Sequence, residues 1–201
     1  MIIENAVQLR KLYSFPSGRA KDKMFSTLDK HAIHFISKSP FAILSTCNTD
    51  KKMDASPRGG NPGFVKVYSN NVLVIPDAKG NNRLDSLVNI INSGTIGILF
   101  LIPGIDETLR LNGKAVITTD EEYLNLFSDE NIAPKTCILV NVEEVFLHCA
   151  KALMRSKLWL EDTKINRNEF PTMGEMLKDQ LGGNKIAESQ EDMVKRYKKD
   201  L

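Results

Sequence analysis

The sequence predicts a mainly β protein with flanking helices, folded as an antiparallel barrel. Three observations predict it. Short runs of β-forming residues follow one another through hairpin-like turns, such as Asn48–Met53 and Asn70-Asn71. Few helical patterns interrupt them, and no G-x-G-x-x-G comes after a strand, so a doubly wound dinucleotide fold has no support. The run TIGILFLIP is apolar almost throughout, the mark of a strand buried on both faces. In a small domain that implies a barrel interior on one side and a partner surface on the other.

Residues 4–13 carry helical periodicity, and Phe15-Pro16-Ser17-Gly18 breaks it, with Ser17 placed to cap the next helix. From Arg19 to Ser37 an apolar stripe of Met24, Leu28, Phe35 and Ile36 predicts a helix with one buried face. Ser39-Pro40 ends it. PFAILSTCN reads as a strand, and Asp54–Arg58 returns from the next turn. Gly59-Gly60-Asn61-Pro62-Gly63 cannot continue a regular strand and implies a bulge or close approach of backbone. FVKVYS and NVLVIPD form a hairpin, and DAKGNNR leads into a short helix, Leu84–Asn92. Asn112-Gly113 inside ETLRLNGKAVITTD predicts a bulge or bend. A helix starting at Thr119–Glu122 ends near Phe127, and residues 131–134 are loop. TCILVNVEEVFLHCA is the last strand. KALMRSKLW is helical or irregular, and short helices are expected at Met173–Leu181 and Ala187–Tyr197, on either side of Gly182-Gly183.

Size and composition set limits. The chain has 201 residues and 42% hydrophobic content, enough for one domain with appendages or two small ones. Its 27 basic and 25 acidic residues nearly balance, leaving no electrostatic footprint for nucleic acid or membrane. Cys47, Cys137 and Cys149 are an odd set without C-x-x-C spacing, which points to reduced thiols rather than a disulfide framework or zinc site. The first residues, MIIENAVQLRKLY, lack an apolar stretch and cleavage site, and the longest apolar run is too short to span a bilayer. A cytoplasmic protein is expected. His31 and His34 lack a third metal ligand. His148 and Cys149 are adjacent and face opposite ways in a strand, so no shared metal or Cys–His dyad is expected. Glu121-Glu122 and Glu143-Glu144 read as solvated charges.

The richest stretch is DASPRGGNPGFVKVYSNNVLVIPDAKGNNRLDS, residues 54–86. It holds two Gly-rich turns with an arginine each, Arg58 and Arg83, and the second turn opens a helix. N–H groups at a helix start beside an arginine suit an anion, since the guanidinium is a permanently charged, forked donor. Two such turns on neighbouring strands can hold two ends of one ligand. The plainer alternative is a pair of ordinary turns, with Arg83 pairing with Asp85 on the helix surface and Arg58 solvated.

SPRGG, IPDAKGNNRLDSL, GILFLIPGIDETLRLNGKA and HCAKALMRSKLW occur in that order. This ordered set resembles the pyridoxamine 5′-phosphate oxidase-like, or PPOX-class, flavoproteins, and most of all a bacterial subgroup of unassigned substrate. The resemblance covers about Ser39 to Trp159, with the helical arm before it. It implies a six-stranded antiparallel split β-barrel and a homodimer with FMN at the interface. Residues 1–38 would then be a helical arm, 39–150 the FMN-binding barrel and 151–201 a helical extension. It also implies that Arg83 and Asn82 hold the FMN phosphate with Lys79. Ser56, Pro57, Arg58 and Gly59 would lie along the ring and ribityl chain, Arg58 facing the pyrimidine edge. Asp77 is a candidate acceptor for ring or ribityl groups, and Thr108 or Arg110 reaches the ring from a later strand. Lys151, Arg155 and Trp159 resemble the basic-aromatic segment that closes the family's site, often from the second subunit. This segment departs from the classical oxidase's C-terminus, and the chain then continues, so pyridoxamine phosphate is not implied as the substrate.

The leading expectation is an FMN-dependent oxidoreductase acting on an unidentified small molecule, with the flavin carrying the chemistry. The alternatives are a non-catalytic flavin-binding protein for storage, sensing or stress, and a haem- or deazaflavin-binding member of the same fold. His148 is the candidate axial ligand for haem.

Overall fold

The computed structural model describes residues 2–15, 17–18, 23–131, 133–182 and 187–199. Among them, seven strands form one antiparallel sheet: β1 Phe41–Cys47, β2 Met53–Gly59, β3 Lys66–Ser69, β4 Val72–Pro76, β5 Thr95–Leu101, β6 Thr108–Thr118 and β7 Cys137–His148. Their order is β2-β1-β5-β6-β7-β4-β3. The six strands that the resemblance implies are therefore corrected to seven. The shortest of them, β3, is four residues long, pairs with β4 alone and slips register between Val67 and Ser69. Among the described residues no ladder joins β2 to β3, so hydrogen bonds do not close the sheet into a barrel.

Hairpins account for most of the order. Asn48 starts a tight turn in which its backbone N–H and side-chain oxygen both bond Lys52, with Lys51 in the left-handed region at φ 63°. Asn70-Asn71 joins β3 to β4 as expected. β6 and β7 run side by side for most of their length, with one slip: Asn112 faces Glu144 and Gly113 faces Val142, so Glu143 is the extra residue of a bulge. A Cβ on Gly113 would lie 2.1 Å from the Asn141 carbonyl oxygen, so only glycine fits the bend. β5 lies between β1 and β6; Ile96, Ile98 and Phe100 are buried, while Gly97 and Leu99 on its other face are half-buried.

The main core lies between one face of the sheet and two helices, α2 Lys30–Lys38 and α3 Asp85–Ser93. α2 contributes Ala32, Phe35 and Ile36, and α3 contributes Leu87 and Ile90. Each large apolar side chain fully buried there stabilises the fold by about 1.5–3 kcal/mol. A smaller cluster of Val74, Phe127 and Cys137 packs under a short helix, α4 Glu121–Leu124.

The long N-terminal helix expected over Arg19–Ser37 is corrected to Lys30–Lys38. Two forces set its start. Phe25 exchanges both backbone hydrogen bonds with Val145, which holds that segment extended. Asp29 then caps the helix by accepting from the N–H groups of His31 and Ala32. Residues 19–22 of the expected helix, Pro16 of the break and Gly183 lie outside the described residues, as does position 132 of the loop. The earlier periodicity is α1 Ala6–Leu12, capped by Asn5. The helix expected at Leu84–Asn92 begins one residue later, because Leu84 takes φ 58° and stands outside the turn.

After β7 come α5 Lys151–Ser156, α6 Met173–Leu181 and α7 Gln190–Tyr197. α7 starts three residues later than the expected Ala187, where Ser189 accepts from the Asp192 N–H as its cap. α6 opens on a capping box between Thr172 and Glu175. None of these three helices has a buried residue.

Candidate functional site

β2 builds one wall of the site. Its residues alternate between half-buried and exposed, so Asp54, Ser56 and Arg58 share one face. The strand stops at Gly59 because the chain must dive back toward α2: Gly60 donates to the Pro40 carbonyl and Gly63 to the Ser39 carbonyl. Gly63 sits at φ 81° with its missing Cβ 3.2 Å from the Ser37 carbonyl oxygen, a close approach that suits glycine alone. This folding seats Phe64 at the base of the wall.

The opposite wall starts where β4 ends. The Asp77 N–H donates to the Thr136 carbonyl at 3.0 Å, tying the exit of β4 to the entry of β7 and bringing Lys135 alongside. The chain then passes through Ala78–Leu84. Asn82 and Leu84 both adopt left-handed backbone, at φ 60° and 58°, with the Arg83 N–H held by the Asn81 side chain. α3 starts directly from this loop with no side chain capping its first turn. Its first N–H groups therefore remain available to an anion.

Between the walls lies a groove of about 550 Å³. Eight residues expected from the sequence line it together: Ser56, Pro57, Arg58 and Gly59 from β2, and Asp77, Lys79, Asn82 and Arg83 from the opposite loop. Since β2 is the first strand of the sheet and β4 is next to the last, the groove spans the gap between the sheet's two ends. Phe64, Ser86 and Lys135 also line it, and no motif marks them as site residues. Lys135 is far along the chain and is brought in by the β4–β7 ladder, which the Asp77–Thr136 bond extends; Ser86 is brought by the first turn of α3.

Charge in the groove is mixed, with Arg58, Lys79, Arg83 and Lys135 against Asp77 and Asp85. The Arg83 side chain donates through Nε to Asp85 at 2.5 Å, and both are well exposed. This is the ion pair of the plainer alternative, formed here on the rim of the groove. Arg58 donates to the Pro57 carbonyl at 2.9 Å. Burial pushes the Asp77 carboxyl above its ordinary range, and the positive charges of Arg58 and Lys135 pull it partly back. Burial likewise raises the Cys137 thiol to about 11, with the Asp77 charge adding to it, so this thiol stays protonated and inert. Pro57, Phe64, Pro76 and Leu87 give the groove an apolar part of its lining. On the same face of β2, Asp54 accepts from the hydroxyls of Ser56 and Ser86.

The other five expected residues do not line this groove within one chain. Thr108 is buried at the start of β6, opposite His148. Arg110 lies over the Phe146 ring at 5.5 Å. Lys151 and Arg155 are exposed on α5, and Trp159 donates through its indole N–H to the Ile105 carbonyl at 3.0 Å. His148 also lies outside the groove lining, its ring 5.1 Å from that of Phe146 and its pKa lowered by burial and by Lys23 and Arg110. Among the described residues no group of three or more His, Cys, Asp or Glu side chains is placed to hold a metal ion. A larger cleft of about 780 Å³ lies in the C-terminal segment between Arg167 and Gln190, but it is wide open to solvent and contains none of the expected site residues. No helix among the described residues is long and apolar enough to cross a membrane.

Residues 28–149 match the family model described as pyridoxamine 5′-phosphate oxidase. Among solved structures, the Group A Streptococcus protein HupZ is similar at 17% identity and a TM-score of 0.51, over 60% of this chain and 93% of that one. A putative pyridoxamine 5′-phosphate oxidase from Lactobacillus delbrueckii is similar at 17% identity and a TM-score of 0.48, over 62% and 98%. An FMN-binding protein from Syntrophomonas wolfei shares 10% identity with a TM-score of 0.44, over 58% and 87%. No curated protein matches the chain.

Proposed function

Because the chain belongs to the pyridoxamine 5′-phosphate oxidase family, we propose that it is an FMN-dependent oxidoreductase acting on a small organic molecule, with the flavin seated in the groove between β2 and the loop before α3. The observation that carries this reading is the convergence of the two Gly-rich turns on one groove lined by four cationic side chains and by the apolar Pro57, Phe64, Pro76 and Leu87. FMN asks for those features: cations and N–H donors for the phosphate, an apolar slot for the ring, and polar groups at its rim.

The residues present fit the group. Arg83, Lys79, Asn82 and the uncapped first turn of α3 would hold the phosphate. Pro57 and Phe64 would flank the ring, and Arg58 would place positive charge beside it, where an anionic reduced form gains electrostatic stabilisation. The flavin supplies hydride or electron transfer, and the protein binds, orients and shields it. Asp77, protonated more readily than an ordinary carboxyl, is the group in this groove best suited to hold a proton or to accept a hydrogen bond from the ligand.

We read the protein as a homodimer in which Thr108, Arg110, Lys151, Arg155 and Trp159 of one chain reach the groove of the other. The support is that these five sit apart from their own chain's groove. In addition, Leu84 just before α3 and Val88 and Ile91 on it form an exposed apolar stripe beside that groove.

Titration of the purified protein with FMN tests the reading. Binding of about one flavin per chain, with a quenched flavin fluorescence, is expected. Absence of binding into high micromolar FMN overturns the cofactor assignment. Truncation before Ala150 should weaken FMN binding in a chain that remains folded by circular dichroism. A wild-type monomer at micromolar concentration that binds FMN normally, or a truncated dimer of unchanged affinity, overturns the shared site.

A further inference from the structure

Asp54 shares the face of β2 that carries Ser56 and Arg58 but does not itself line the groove, yet it controls two side chains that do. The Ser56 hydroxyl donates to both oxygens of Asp54, at 3.1 and 2.9 Å. The Ser86 hydroxyl, on the first turn of α3 and only 2% exposed, donates to Oδ2 at 2.6 Å. A serine hydroxyl has one hydrogen and two lone pairs. Both hydrogens are committed to the carboxylate, so what Ser56 and Ser86 have left to offer a ligand is lone pairs. Donation to a charged acceptor also polarises each hydroxyl and makes its oxygen a better acceptor.

We propose that Asp54 is a positioning residue that makes this section of the groove a seat for hydrogen-bond donors, namely the hydroxyls of the flavin's ribityl chain, and closes it to phosphate. The proposal rests on the flavin reading above. Phosphate is an acceptor and carries charge of the same sign as Asp54, so the serine section repels it while the Lys79–Arg83 loop attracts it. Ser86 follows Arg83 by three residues, so the serine pair lies next to the cationic loop, where the ligand segment after the phosphate is the ribityl chain. The carboxylate also ties β2 to α3, which sets the distance between the two walls.

The test titrates riboflavin, FMN and lumiflavin, which has the ring without the ribityl chain, against wild type, Asp54→Asn, Ser56→Ala and the double variant. Asp54→Asn removes the charge that polarises both hydroxyls and replaces one acceptor oxygen by an NH2 donor facing the serine pair. It should weaken riboflavin about fivefold to tenfold and leave lumiflavin within twofold of wild type. Ser56→Ala keeps the Asp54–Ser86 bond and should show the same pattern. The double variant should be no weaker than Asp54→Asn within twofold, because both changes remove one interaction. Riboflavin affinity unchanged in Asp54→Asn overturns the proposal, as do equal losses for riboflavin and lumiflavin, or losses that multiply in the double variant. If Asp54→Asn does not fold, the riboflavin-to-lumiflavin contrast in Ser56→Ala decides the outcome alone. A wild-type protein that binds none of the three flavins overturns the flavin reading itself, and that result is separate from any variant effect.

Discussion

Replacing Arg83 by alanine tests the phosphate end of the groove most directly. With ligand absent, the guanidinium is engaged with Asp85 at 2.5 Å on an exposed rim. An ion pair this exposed contributes about 0.2–1 kcal/mol. A charged hydrogen bond to phosphate contributes about 1.5–3 kcal/mol. Binding FMN exchanges the first for the second, so the net loss in Arg83→Ala is about 1–2 kcal/mol, or roughly fivefold to thirtyfold in Kd. Riboflavin lacks the phosphate and should lose less than twofold. Asp85→Asn acts in the opposite direction: it releases Arg83 and removes a negative charge beside the phosphate, so FMN should tighten about twofold to fivefold with riboflavin unchanged. Fluorescence titrations of both ligands at fixed ionic strength measure all four values. Equal losses for FMN and riboflavin in Arg83→Ala would refute the assignment of this side chain to phosphate. An Asp85→Asn variant that binds FMN more weakly would refute the exchange argument.

Two further predictions concern the fold. The Asp77 carboxyl is raised in the folded protein from an ordinary 3.8, so its stabilising contribution is present in full below that value and is lost as pH rises through the folded pKa. Asp77→Asn should therefore be more stable than wild type at pH 7 by urea denaturation, with the difference shrinking as pH falls toward 3; a difference that grows on acidification contradicts the burial argument. Gly113→Ala drives a Cβ to within 2.1 Å of the Asn141 carbonyl oxygen and should cost about 1–3 kcal/mol of stability, seen as a lower urea midpoint at unchanged m-value. An unchanged midpoint would show that the β6–β7 bulge relaxes freely.

The hairpins and the bulge were legible because their signals are local. Asn70-Asn71 and Asn112-Gly113 mark a turn and a bend by residue type alone, and both occur where expected. The N-terminal helix was overextended for the opposite reason. Met24 and Leu28 continue its apolar spacing, but Phe25 pairs with Val145, a strand partner 120 residues away that no window of sequence contains. The same division runs through the site. The two Gly-rich turns declare themselves by composition, and the structure joins their eight residues in one groove. Lys135 and the Asp54–Ser86 bond depend on contacts between distant segments and carry no local mark. Thr108, Arg110 and the Lys151–Trp159 segment are equally visible in the sequence, and a single chain gives them no path to the groove.

The outer edge of β2 matters for more than ligand binding. As the outermost strand of the sheet among the described residues, it presents an unpaired backbone edge, the kind of surface along which a stray strand from another chain adds and aggregation begins. Pro57 lies in the middle of that strand, opposite Ile43 of its one neighbour, and a proline within a sheet has no N–H to offer an incoming ladder. The ring thus interrupts templated growth at the point where the strand also forms the groove wall. Substituting Pro57 would remove this safeguard along with part of the groove lining, so on the flavin reading solubility and flavin affinity are expected to fall together at that position.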